Sequence, residues 1–440
     1  MSLIGVISND QGLNERISTE YEEVEEGTYT LRFLDSEKTA LEFLNFDLPE
    51  IVIINFADKT FDFPSLMNAV RKDSWLHNFG IIGFFDHDSQ DEDEMLSTYK
   101  ELNILAMLDP PRLHSHLVKC TQIIEQNRQI IFQRELEDKL LDKASSSFAI
   151  ENDLPATSVY ASIAATTLLQ RGYIKPDAKM HLQLCLSELL VNAVEHGNCG
   201  ITFEEKTKAL DEGKSMVELV QEKCSDPAIA KKQVHFEWEI QEDFTKFTIA
   251  DEGKGFNVRG LREKIATEGP LALHGRGIRL ARHFAKKLMY NKKGNMVLLI
   301  IEHDKTAAKE MPEGFSTEEV ISVNRGDVVF REKEDSNFLY YIASGRFSVY
   351  HNSTAVGNLG PEDIFMGEMS FLLNNRRSAT VIADTEGKLV KITRRSFVSV
   401  IKDYPHYGIF LSKLLARKLV RANILNAELP DSKLVQIESV

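Results

Sequence analysis

Over its first 116 residues the chain alternates short apolar runs with amphipathic segments, and this pattern constrains the fold more than any other feature. The runs "LIGVIS", "YTLRFL", "EIVIIN", "FGIIGFF" and "NILAML" are rich in Ile, Val, Leu and Phe, as strands buried on both faces are. Between them, "SEKTALEFLN" and "FPSLMNAVRKD" have the apolar spacing of helices. Strand and helix in alternation predict a doubly wound open sheet.

Length and charge narrow the rest. At 440 residues the chain is long for one domain, so two to four are expected. Its 43% hydrophobic and 9% aromatic content supports sizeable cores. Against 67 acidic residues stand 52 Lys and Arg, a net charge of −15. No direct nucleic-acid or membrane surface is expected, because both need a basic face. The opening "MSLIGVISND" lacks the basic leader of a signal peptide. No run approaches the roughly 18 apolar residues of a membrane span. Cys120, Cys185, Cys199 and Cys224 show no CxxC spacing, and reduced thiols in a cytoplasmic protein are expected.

The first segment resembles a response-regulator receiver domain, of flavodoxin-like strand order. That family carries an acidic pair, a phosphoacceptor Asp, a Ser or Thr and a Lys at successive strand ends. Here those places fall on Asn9–Asp10, Asn55, Phe84 or Phe85, and Asp109. Only Asp10 survives, so the resemblance implies a pseudo-receiver that docks or dimerises. From Leu113 to Lys143, a stripe of Leu117, Ile124, Ile131 and Leu141 predicts a long linker helix, with pairing in a dimer as one use. "ASSS" at Ala144 to Ser147 then reads as a linker. The expected units are 1–115, the linker helix 116–147, an α/β domain 148–308 and a strand-rich domain with a helical tail 309–440.

In the α/β domain, "CLSELLVNAVEHGN" places Glu188, Asn192 and His196 four residues apart, one face of a helix otherwise packed into a core. "KFTIADEGKGF" sets Asp251 at a strand end before Gly253 and Gly255. Gly275, Arg276 and Gly277 stand before a later amphipathic helix. Glycines permit close backbone approach, and a helix N-terminus offers free N–H groups to phosphate.

These blocks, in this order, resemble the GHKL ATPase superfamily, most closely the anti-sigma-factor serine kinases. The resemblance covers Asn152 to Glu302 and implies a Bergerat-type α/β sandwich. It implies that Asp251 binds the adenine amino group of ATP, Asn192 the Mg²⁺, and Glu188 acts as general base. Gly275, Arg276 and Gly277 would cradle phosphates below a lid at about Val258 to Leu273. His196 either contacts ATP or closes the helix beside Gly197. A histidine-kinase reading would need a phosphoacceptor on a preceding hairpin, where only His114 and His116 stand. About 35 residues, Gly200 to Lys232, depart from the family pattern; they either cover a docking face or decorate the surface.

Toward the C-terminus, "DIFMGEMSFLLNNRRSATV" resembles the phosphate cassette of cyclic-nucleotide-binding domains, a small β jelly roll. It implies that Glu368 takes the ribose 2′-hydroxyl and Arg377 the cyclic phosphate. Gly367, Ser378 and Ala379 would complete the cradle for cyclic AMP or cyclic GMP. The competing reading pairs Glu368 with Arg377 internally. Lys413, Arg417, Lys418 and Arg421 read as a solvated helix face. The whole predicts a kinase that phosphorylates an anti-sigma antagonist protein, forming a homodimer as the resemblance implies. The alternative is a nucleotide-sensing scaffold that sequesters a sigma factor.

Overall fold

The structure is a computed structural model that describes residues 2–24, 27–73, 76–77, 79–110, 113–127, 144–258, 285–309, 311–336, 338–373 and 376–428. Strands β1 (Ser2–Ile7), β2 (Tyr29–Leu34), β3 (Ile51–Asn55), β4 (Gly80–Phe84) and β5 (Ile104–Leu108) form a parallel sheet in the order β2-β1-β3-β4-β5. Helices α1 (Gln11–Glu22) and α5 (Leu113–Gln126) bury Leu13, Ile17, Leu113 and Leu117 with Ile4, Val6 and Ile53. Helices α2 (Glu37–Phe46) and α3 (Phe63–Lys72) bury Phe43, Leu44, Leu66 and Val70 with Ile7, Val52 and Ile54. Alternate strand residues thus serve two separate cores, as the period of two demands. A short α4 (Glu92–Thr98) precedes β5. Two of the strand-end positions make structural hydrogen bonds. The Asn55 amide donates to the Ser8 hydroxyl at 3.3 Å, and the Asp10 carboxylate caps α1 by accepting from Leu13 N at 3.0 Å.

The expected linker helix is corrected in two places. Leu117 and Ile124, assigned to a dimer stripe, are fully buried in the chain's own core; Ile131 and Leu141 lie outside the described residues. Nor is Ala144 to Ser147 a linker. It opens β6 (Ala144–Ile150), an edge strand paired antiparallel with β7 (Val234–Ile240). β8 (Phe244–Ala250), β9 (Lys287–Tyr290) and β10 (Met296–Glu302) complete an antiparallel sheet in the order β6-β7-β8-β10-β9.

Two helices cover that sheet. In α6 (Leu154–Gln170), Ala161, Ala164 and Ala165 are fully buried, and their small side chains let α7 (Pro176–Asn192) approach closely. α7 buries Leu182, Cys185, Leu186, Leu189 and Leu190, then passes into a π-helical turn, Ala193–Asn198. The insertion folds as α8 (Phe203–Asp211), α9 (Met216–Lys223) and α10 (Pro227–Ala230).

The C-terminal unit packs two four-stranded antiparallel sheets. β11 (Glu319–Val323), β13 (Phe338–Ser344), β16 (Phe365–Met366) and β18 (Gly387–Thr393) form one, ordered β11-β18-β13-β16. β12 (Val328–Phe330), β14 (Phe347–His351), β15 (Thr354–Leu359) and β17 (Thr380–Ala383) form the other, ordered β12-β17-β14-β15. α11 (Glu368–Leu373) lies between β16 and β17, and α12 (Arg394–Asp403) and α13 (Pro405–Glu428) follow. Among the described residues, no helix is long and apolar enough to cross a membrane.

All three units touch. On α13, Tyr407 donates to the Asp73 carboxylate, and the Lys413 ammonium donates to the carbonyls of Leu48 (2.7 Å) and Asp47 (3.1 Å). Lys413 is therefore an inter-unit contact rather than a solvated charge; the side chains of Arg417, Lys418 and Arg421 lie outside the described residues. The Arg346 guanidinium pairs with Glu362, donates to the Arg171 carbonyl at 2.6 Å, and stacks 4.5 Å from the Tyr173 ring centroid. It joins the C-terminal unit to the end of α6. From the first turn of α7, the Lys179 ammonium is buried against the carbonyls of Leu102 and Lys100.

Burial pulls the Lys179 ammonium down to about 8, below the unfolded value of about 10.4. Between those pH values the unfolded chain holds a proton that the folded chain does not, so stability rises with pH across that window. Relative to Lys179→Met, the native chain should gain up to about 3 kcal/mol from pH 8 to pH 10.4 in urea unfolding, and nothing below pH 8. A difference that does not vary with pH would contradict a buried ammonium.

Candidate functional site

At the C-terminal end of α7 the expected stripe divides. Glu188 and Asn192 are half-buried on one face, with Asn192 Nδ2 donating to Glu188 Oε1 at 3.4 Å. The π turn then breaks the four-residue register, since its bonds run from i to i+5; Cys199 N donates to Val194 O at 2.9 Å. Glu195 is consequently turned inward, 2% exposed, and paired with Lys206 at 2.7 Å. His196 is turned outward. Its ring is exposed, and Nδ1 meets the Ile201 carbonyl at 2.7 Å. That hydrogen bond spans the end of the π turn.

Asp251 follows β8 and is held at its backbone by Asn295, whose carbonyl accepts from Asp251 N at 3.0 Å and whose amide donates to Asp251 O at 2.9 Å. Its Oδ1 accepts from Gly253 N at 2.8 Å. Burial raises the carboxyl above the usual carboxylate range, outweighing that bond. The two glycines here are demanded by space. A Cβ on Gly253 would lie 2.1 Å from the Gly197 carbonyl oxygen, and one on Gly255, at φ +75°, would lie 2.0 Å from that of Lys293. Gly197 itself presses against Asp251: a Cβ there would lie 2.4 Å from the Asp251 Cγ. The backbone of the π turn is thus the wall against which the carboxylate rests.

One residue overlooked in the sequence joins these parts. Asn198, 1% exposed, accepts from Glu252 N at 2.8 Å and donates to Asn152 Oδ1 at 2.8 Å. Asn152 donates in turn to the carbonyls of Ile229 (2.9 Å) and Lys232 (3.2 Å), and Lys232 Nζ donates to Asn198 O at 2.8 Å. The insertion therefore braces the end of the π turn and, through it, the Asp251 loop. Gly275, Arg276, Gly277 and the expected lid beyond Val258 lie outside the described residues.

The second cassette is also built by close approach. Gly367, at φ +80°, opens α11, and a Cβ there would lie 1.9 Å from Arg377 Nη1. Arg377 is 2% exposed. Its guanidinium donates to Gly367 O (3.0 Å), Ser370 Oγ (2.9 Å) and Phe338 O (2.8 Å), and lies 4.1 Å from the Phe330 ring centroid. Those oxygens are all neutral, and the buried Nε has no hydrogen-bond partner among the described residues. Burial works against the charge of this guanidinium, and Tyr340, Glu334 and Glu368 act on it through space in the opposite direction. A buried guanidinium whose hydrogen bonds go to two carbonyls and a hydroxyl suits an incoming anion. Glu368 and Ala379 are half-buried and Ser378 is exposed. The Ser378 carbonyl meets His351 Nδ1 at 2.9 Å.

Asn198→Leu would remove the partner of the Glu252 N–H and of the Asn152 side-chain carbonyl, costing about 1–3 kcal/mol in all. A lowered urea midpoint at unchanged slope is expected. An unaltered midpoint would show that this amide carries no structural weight.

Comparison with known proteins bears on both cassettes. Residues 152–301 match the family model of the histidine kinase-like ATPase domain, and residues 320–404 that of the cyclic nucleotide-binding domain. The chain is 31% identical over 125 residues to the Pycsar effector protein BcPycTIR of Burkholderia cepacia, covering 28% of this chain and 40% of that one. It is 30% identical over 105 residues to the cyclic AMP receptor protein of Thermus thermophilus, covering 23% of this chain and 48% of the relative. The crystal structure of the Thermus thermophilus catabolite activator protein is similar over 26% of this chain and 55% of its own, at 27% identity and a TM-score of 0.25. The chain thus spans less than half the length of these two relatives. It carries a histidine kinase-like ATPase domain and, C-terminal to it, a cyclic nucleotide-binding domain.

Proposed function

We propose that this chain is an ATP-dependent serine/threonine protein kinase of the anti-sigma-factor type, acting in bacterial cytoplasmic signalling and tuned by a cyclic nucleotide. The observation that carries the reading is the pairing of Glu188 with Asn192, one turn apart, on the helix whose far end walls the Asp251 loop. Asp251 takes the adenine amino group. Asn192 offers the oxygen that Mg²⁺ prefers, and the bound ion supplies charge neutralisation at the phosphates. Glu188 accepts the proton from a serine or threonine hydroxyl of a small antagonist protein. The hydroxyl oxygen bonds the γ-phosphorus as the bond to ADP breaks. Phosphoryl transfer is mostly positioning and charge neutralisation, and a fixed carboxylate of this kind supplies roughly 10²–10⁴-fold.

In the C-terminal domain, cyclic AMP or cyclic GMP would place its phosphate at Arg377 and its ribose at Glu368, with Gly367, Ser378 and Ala379 around the phosphate. Arg346 links this domain to α6, which packs along α7, so occupancy can bias the helix that bears Glu188. A homodimer belongs to the same reading. Histidine-kinase chemistry is disfavoured by His116, which is 4% exposed.

A second reading is a nucleotide-sensing scaffold that sequesters a sigma factor without catalysis. It is favoured by the N-terminal unit, whose phosphoacceptor position is Asn55, hydrogen-bonded to Ser8. Glu188→Gln separates the two. With the kinase, phosphate transfer from radiolabelled ATP to the partner falls at least 100-fold while ATP affinity is kept. Transfer that survives the substitution would remove Glu188 as the base.

A further inference from the structure

The two-residue turn between β14 and β15 presents an imidazole to the Arg377 cassette. Asn352 and Ser353 make that turn at φ +47° and +63°, the left-handed backbone that two-residue hairpin loops demand. Positive φ is costly for serine, and the turn is tied down. Asn352 N donates to Glu332 Oε2 at 2.8 Å, and Glu332 N donates to Thr380 Oγ1 at 2.9 Å. His351, the last residue of β14, meets the cassette directly. Its Nδ1 lies 2.9 Å from the Ser378 carbonyl oxygen and 3.6 Å from Glu332 Oε1, and its Nε2 lies 3.1 Å from Asn352 Nδ2. A carbonyl oxygen only accepts, so Nδ1 carries the proton and Nε2 accepts from the Asn352 amide. One neutral tautomer satisfies both bonds.

The peptides beside this one are held from elsewhere. Lys333 N donates to Arg377 O at 2.8 Å, and Arg377 N donates to Glu334 O at 2.9 Å. The peptide joining Ser378 to Ala379 is held from the hairpin instead. In a planar trans peptide the carbonyl and the following N–H point in opposite directions, and the described residues contain no cis bond. With the Ser378 carbonyl fixed on His351, the Ala379 N–H is aimed away from the hairpin. Among the described residues no backbone acceptor takes it. We propose that His351 is a positioning residue of the cyclic nucleotide site, setting the Ala379 N–H toward one exocyclic oxygen of the cyclic phosphate. This role rests on the proposed reading of Arg377 and its neighbours as a phosphate cradle, and it adds to that cradle a side chain from a different strand. A donor fixed on one of two exocyclic oxygens makes the cradle selective between them.

The test is titration calorimetry of the full chain with cyclic AMP, cyclic GMP and the Sp and Rp phosphorothioates of each. In these probes sulfur, a weaker acceptor, replaces one or the other exocyclic oxygen. The native chain should prefer one diastereomer. His351→Leu should weaken the parent nucleotide about fivefold, as loss of one hydrogen bond does, and bring the diastereomer ratio closer to one. His351→Asn, whose Nδ2 can stand in for the imidazole Nδ1, should restore both. The His351 side chain is 55% exposed, so both substitutions leave the core intact. A purely structural hairpin would lower the affinity for both diastereomers alike. An unchanged ratio, native affinity in His351→Leu, or an asparagine variant no better than leucine would therefore each overturn the proposal. A native chain that binds neither cyclic nucleotide would instead remove the cradle reading itself, and the role of His351 with it.

Discussion

The amide of Asn198 is the joint on which the ATPase domain's ligand face depends. It sits at the end of a π turn and ties the Asn152 strand exit to the Glu252 peptide, while the Asn198 backbone carbonyl accepts from Lys232 at the end of the insertion. Buried amides are costly unless bonded, and here the Asn198 side chain both accepts and donates. With the turn so fixed, the Gly197 backbone becomes a wall for Asp251, and α7 upstream holds Glu188 and Asn192 on a rigid helix. Rigid support is what a phosphoryl-transfer site needs, because its chemistry is positional.

The same helix is held at its other end. Lys179 buries its ammonium against carbonyls of the N-terminal unit, and Asp177 pairs with Lys100. α6, packed along α7, is held at its C-terminus by Arg346 from the third unit. The N-terminal unit thus grips the helix start and the cyclic nucleotide-binding domain grips its packing partner. The C-terminal helix closes the circuit through Tyr407 and Asp73. Coupling between distant sites needs an element that both can bias, and the α6–α7 pair is placed to be that element.

Much of the fold was legible because buried parallel strands are uninterrupted apolar runs. The five segments from Leu3 to Leu108 coincide with β1 to β5 to within a residue or two. Asp251, Gly253 and Gly255 were legible as a tight loop at a strand end; a glycine pair alone marks any turn, and the order of the blocks carried the rest. The failures have physical causes. The four-residue rule for Glu188, Asn192 and His196 assumes α geometry, and Ala193–Asn198 forms a π turn instead. Ala144 to Ser147 is a strand because pairing with β7 overrides the weak strand preference of serine. The contacts of Asn198 and the bond from Arg346 to Arg171 span 34 to 175 residues, and no local pattern encodes them. Leu117 and Ile124 read as a dimer seam because an apolar stripe does not say what will cover it.

The central claim is that the Asp251 loop and the Arg377 cassette are two nucleotide sites joined through one helix pair. The direct measurement is the dissociation constant of Mg-ATP by titration calorimetry, with and without saturating cyclic AMP or cyclic GMP, and the reverse titration with ATP saturating. The account predicts a change of roughly 5- to 150-fold for one cyclic nucleotide, equal in both directions by linkage. Identical ATP affinity with each cyclic nucleotide bound and absent would contradict it.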